Sequence, residues 1–72
     1  MREVRAINRL KEVRLARGIM QTEIAGRAGL SNAFVSDLEK NRRTAKPETW
    51  ARIAEAIGCT VEEINPPADA EA

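Results

Sequence analysis

Between Ser31 and Lys40 the sequence SNAFVSDLEK sets short polar side chains at a spacing that suits recognition of planar hydrogen-bonding edges. On a helical wheel Phe34, Val35 and Leu38 gather on one side, while Asn32, Ala33, Ser36, Asp37 and Lys40 face the other. Short side chains allow a helix to approach a base edge closely. The Asn32 carboxamide can donate and accept at once, as adenine requires; Ala33 can touch a thymine methyl, and Asp37 can accept from the cytosine amine. Asp37 sits uneasily there, because phosphates repel a carboxylate that finds no such amine. Taken singly, each of these residues also suits an ordinary solvated helix position. The reading rests on the face as a whole.

Catalytic chemistry has little to work with. The chain of 72 residues has no His and one Cys, Cys59, so neither an intramolecular disulfide nor the usual metal constellations can form. Without a histidine to activate it, Cys59 reads as a small buried hydrophobe. No catalytic dyad or phosphate loop is present, so an enzyme is not expected and neither catalytic residues, metal nor cofactor is assigned.

The net charge of +1 conceals a split. Residues 1–46 carry eleven Arg and Lys against five acids, whereas residues 47–72 carry Arg52 against six acids. A basic half suits a polyanion, since neutralising phosphates releases counterions; a merely solvated charged surface remains the alternative. The amino-terminal stretch MREVRAINRLKEVRLARG interleaves charges with single apolar residues, which argues against secretion and membrane spanning and for a cytoplasmic protein.

These residues have to be positioned by short helices. The pattern predicts a first helix from about Val4 to Arg17, with Ile7, Leu10 and Val13 in register and Gly18 after it. A second runs from Gln21 to Ala28 and stops at Gly29. Ser31 caps a third, Asn32 to Lys40, which Asn41 ends in a left-handed conformation. After a basic loop, Pro47 opens a fourth helix to Ile57 that turns Trp50, Ile53, Ala54 and Ile57 inward and closes at Gly58. Thr60-Val-Glu-Glu63 reads as a capping box for a last short helix through Ile64. Residues 1–64 thus form one all-α domain, and residues 65–72, NPPADAEA, an acidic disordered tail.

The segment from Gln21 to Leu38 places two short helices around a glycine-containing turn. Ala25 is small where the helices must approach, Gly29 can take a positive φ, and Leu30 plugs the gap beneath. An ordinary helical hairpin would need fewer such coincidences. From Leu10 to Ile64 the sequence resembles the phage repressor and Cro-like (Xre) helix-turn-helix proteins. The resemblance is carried by Arg14, Gly18-Ile19, Gln21, Glu23-Ile24-Ala25, Gly29-Leu30-Ser31, Phe34-Val35-Ser36, Leu38-Glu39, Arg42-Arg43, Glu48-Thr49, Ile53-Ala54 and Gly58.

That resemblance implies a lambda-repressor-like fold of five helices, with the third in the major groove and the second crossing the backbone above it. It implies base reading by Asn32, Ala33 and Asp37, beside which Ser36 lies on the same face, and a Gln21 that reaches the DNA backbone and braces a neighbouring base-reading side chain. Thr22, Ser31, Lys40, Asn41, Arg42 and Arg43 are the further expected phosphate contacts. For the two arginines a plain solvated loop is the competing reading. Glu39 falls at the edge of the buried side, where a lone carboxylate would be costly, and the resemblance pairs it with Arg14. Met20 and Lys46 stand where the family usually places capping hydroxyls. The expected function is a DNA-binding transcriptional regulator, a homodimer on a palindromic operator joined through Trp50 to Ile64. The alternative is an antitoxin or adaptor that binds a protein partner, such as a toxin or antirepressor.

Overall fold

The computed structural model describes residues 8–66. Among these residues there are five helices and no strands: α1 (Leu10–Ala16), α2 (Gln21–Ala28), α3 (Asn32–Glu39), α4 (Pro47–Ile57) and α5 (Val61–Ile64).

Local chemistry accounts for most of the boundaries. α2 ends at Gly29, whose φ of 72° is open to a residue without a Cβ, and Leu30 N–H closes the turn onto Ala25 O at 2.8 Å. α3 starts where the Ser31 hydroxyl accepts the Phe34 N–H at 3.0 Å. It ends one residue earlier than its pattern suggests, because Asn41, at φ 58°, turns the chain immediately after Lys40. At α5 only half of the expected capping box forms. Thr60 Oγ1 accepts from the Glu63 N–H, but the Glu63 carboxylate lies 3.6 Å from Arg17 Nη2 instead of reaching back.

The start of α1 needs a larger correction. The apolar periodicity extends the helix back to Val4, yet Asn8 and Arg9 are not helical, and Val4–Ile7 lie outside the described residues. Asn8, one residue before the N-cap Arg9, accepts the Leu10 N–H on its Oδ1 at 3.1 Å, while the Arg9 N–H pairs with Ile64 O at 2.7 Å. Asn65, the first residue of the expected tail, is held by its N–H to Val61 O at 2.7 Å; residues 67–72 lie outside the described residues.

Every helix contributes to one core. Leu10, Ile24, Val35, Leu38, Ile53 and Ile64 are fully buried, each stabilising the fold by roughly 1.5–3 kcal/mol, and Ala25 and Ala28 let the helix axes approach. α2 makes its most extensive contact with α4 and its next with α3. Three arginines pin helix carboxyl ends across the structure. Arg17 donates to Gly58 O (3.0 Å), Arg27 to Ala56 O (3.1 Å) and Arg52 to Ala28 O (3.2 Å). Trp50, Ile53, Ala54 and Ile57 are all turned into this core, so the apolar side of α4 holds the chain's own fold together.

Candidate nucleic-acid interface

Burying Val35 and Leu38 fixes which side of α3 is left outside. Asn32 and Ala33 are exposed, and Ser36 and Asp37 are half-buried. Among the described residues, no hydrogen bond or ion pair engages the side chains of Asn32, Ser36 or Asp37. The face therefore offers a carboxamide, a hydroxyl and a carboxylate whose hydrogen-bonding capacity is unused.

The far end of α3 is clamped. Arg14 Nε and Nη2 donate to the two oxygens of Glu39, the second at 3.2 Å, and Arg14 Nη1 donates to Ile19 O at 3.0 Å. The side chains are 11% and 3% exposed, so the pair is shielded from water and salt. Gln21 joins it: its amide Nε2 donates to Glu39 Oε1 at 2.8 Å. The Gln21 side-chain donor thus points inward to the carboxylate. At that end of α2 the backbone N–H groups of Gln21 and Thr22 have no acceptor among the described residues. Those donors, with the positive end of the helix dipole, favour an anion.

Around them lies an open hollow of about 490 Å³ lined by Lys11, Arg14, Met20, Gln21, Thr22, Glu39 and Lys40. Three cations face one carboxylate there. Lys11 was not singled out from the sequence, although it lies three residues before Arg14 and hence on the same face of α1.

Asn41 likewise bonds inward. Its Oδ1 accepts from the Asn8 backbone N–H (3.3 Å) and from Asn8 Nδ2 (3.1 Å), and Asn8 Nδ2 donates to Leu38 O as well (2.7 Å). Among the described residues the amino group of Asn41 has no hydrogen-bond partner. Ser31, Lys40, Arg42 and Arg43 are exposed, the Arg42 N–H donates to Asp37 O at 2.9 Å, and the Arg43 guanidinium lies over the Phe34 ring. Cys59 is half-buried; burial, then the charge of Glu63, push its thiol pKa up against the opposing pull of Arg17. Among the described residues no group of three His, Cys, Asp or Glu could hold a metal ion, and no helix is long and apolar enough to cross a membrane.

The family model for helix-turn-helix proteins matches residues 10–64, from the first residue of α1 to the last of α5. The chain belongs to the helix-turn-helix family. Its resemblance to the Xre-type members therefore holds along the whole five-helix unit. The chain is 39% identical over 56 residues to the HTH-type transcriptional regulator DdrOP3 of Deinococcus deserti, covering 78% of this chain and 43% of that one. It is 32% identical over 56 residues to the immunity repressor protein of Bacillus phage phi105, covering 78% and 39%. It thus spans less than half the length of either relative. Among solved structures, the restriction-modification controller protein C.AhdI from Aeromonas hydrophila superimposes with a TM-score of 0.72 at 29% identity, over 76% of this chain and 83% of that one. In helix-turn-helix terms α2 and α3 are the paired helices and Gly29 to Ser31 the turn.

Proposed function

We propose that this helix-turn-helix chain recognises double-stranded DNA by sequence and regulates transcription, with α3 in the major groove and Asn32, Ala33, Ser36 and Asp37 at the base edges. The observation that carries this reading is the face of α3, which has polar side chains without internal partners on a helix whose other side and far end are locked. A rigid helix with unused donors and acceptors is what direct readout needs. The phosphate contacts come from the amino end of α2 at Gln21 and Thr22, from Ser31, and from Lys40, Asn41, Arg42 and Arg43 after α3. They set register without carrying sequence information. No step of this function asks for a cofactor or for catalysis.

The chain acts in the cytoplasm as a homodimer on a palindromic operator and works as a repressor by occupying it. One domain of this size covers one half-site, and two-fold pairing places two α3 helices in successive major grooves about 34 Å apart. Because the apolar side of α4 is buried within the chain, the outward sides of α4 and α5 between Trp50 and Ile64 form the dimer contact.

Selection from a random duplex library with the purified chain tests the reading. It should enrich a two-fold symmetric consensus with half-sites one turn apart, and the affinity should fall steeply with salt. A folded chain that binds no duplex even at low salt would overturn it, leaving a module for a protein partner such as a toxin or antirepressor.

A further inference from the structure

The arginines divide by what they touch. Arg14, Arg17, Arg27 and Arg52 all direct their guanidinium groups to carboxylates or carbonyls of the body of the domain. Arg42 and Arg43, in the loop after α3, have no acceptor among the described residues. Only one of this second pair is held. The guanidinium carbon of Arg43 sits 4.3 Å from the centroid of the Phe34 ring. Phe34 itself is packed against the core from the first turn of α3, where its N–H is tied to Ser31.

We infer that Phe34 is a positioning residue for the DNA surface: its ring holds Arg43 flat against α3 so that the guanidinium edge meets a backbone phosphate beside the groove that α3 occupies. Stacking leaves the in-plane N–H donors of an arginine free, and the planar fork matches a phosphate's two oxygens. The ring is rigidly part of α3 while Arg43 belongs to a loop, so the contact makes the loop cation move with the recognition helix. Phe34 falls outside the arc of α3 that bears Asn32, Ala33, Ser36 and Asp37, so the Arg43 over its ring contributes register and affinity and not base choice. This inference rests on the proposed DNA-binding reading.

The test measures affinity for a random-sequence duplex across a KCl series for wild type, Phe34→Leu, Phe34→Tyr, Arg43→Ala and the double variant Phe34→Leu/Arg43→Ala. Phe34→Leu should weaken binding about two- to fivefold and flatten the log–log salt slope in the direction that Arg43→Ala does. Phe34→Tyr should restore both, and the double variant should add nothing to Arg43→Ala. A second readout uses wild type alone: in the free protein the Nε–H of Arg43 should be more ordered by NMR relaxation than that of Arg42. If Arg43→Ala weakens binding while folded Phe34→Leu matches wild type in affinity and slope, the positioning role is wrong and the DNA-binding reading stands. Equal mobility of the two Nε–H groups likewise overturns it, and should wild type bind no duplex at all, both readings fall.

Discussion

Gln21 at the start of α2 and Glu39 at the end of α3 are joined by a 2.8 Å hydrogen bond, on the same carboxylate oxygen that accepts from Arg14 of α1. One side chain of α3 thus ties together the first three helices. The packing of α2 against α3 is braced at this point.

Glu39→Ala should therefore destabilise the domain by about 3–5 kcal/mol, because it leaves the Arg14 guanidinium, only 11% exposed, without its counter-charge and the Gln21 amide without its acceptor. Urea denaturation measures it. A loss below ~1 kcal/mol, the range of an exposed ion pair, would contradict the shielded geometry.

Met20→Thr should stabilise. Met20 is the N-cap of α2 in an extended conformation (φ −89°, ψ 153°), has no side-chain oxygen to offer, and is 59% exposed, so little packing is lost. Only the Glu23 carboxylate caps this end, accepting the Met20 N–H at 3.0 Å. A hydroxyl adds ~0.5–1 kcal/mol, which thermal unfolding should record as a Tm a few degrees higher.

Asn8→Ala removes the two donors that hold Asn41 Oδ1 and Leu38 O to one side chain, together with the acceptor for the Leu10 N–H. The expected cost is about 1–3 kcal/mol by chemical denaturation. Amide exchange should rise first at Leu10 and Asn41, at the two ends of the bracket; a uniform rise across the domain would speak against a local role.

Cys59 should alkylate slowly. Burial and Glu63 hold its pKa above the ordinary thiol value, which keeps the unreactive thiol form dominant at neutral pH. Its iodoacetamide rate should lie below that of free cysteine at pH 7.5 and rise with a midpoint above that of free cysteine. A rate equal to or faster than free cysteine would contradict the raised pKa.

The parts of this structure that were legible in the sequence are those with a local physical cause. Gly29, Gly58 and Asn41 take positive φ where their types allow it, Ser31 and Thr60 cap the following helices, and Pro47 opens α4. What the local pattern does not show depends on distant partners. Asn8 falls in register with a helix that begins too early because its side chain is drawn to Leu38 and Asn41, 30 and 33 residues away. Gln21 stood out by type, but the carboxylate that turns it inward lies 18 residues further on. Phe34 marks the apolar side of α3, and only the folded loop reveals the guanidinium stacked on it.

Sequence recognition by this chain depends on the outward face of α3. The decisive measurement is the base preference of Asn32→Ala beside that of wild type, from the same random-duplex selection followed by affinities for single-base variants of the enriched site. Discrimination should fall by ~1–3 kcal/mol at one position per half-site and remain unchanged elsewhere. An unchanged consensus from a folded Asn32→Ala chain would show that this face does not read the bases.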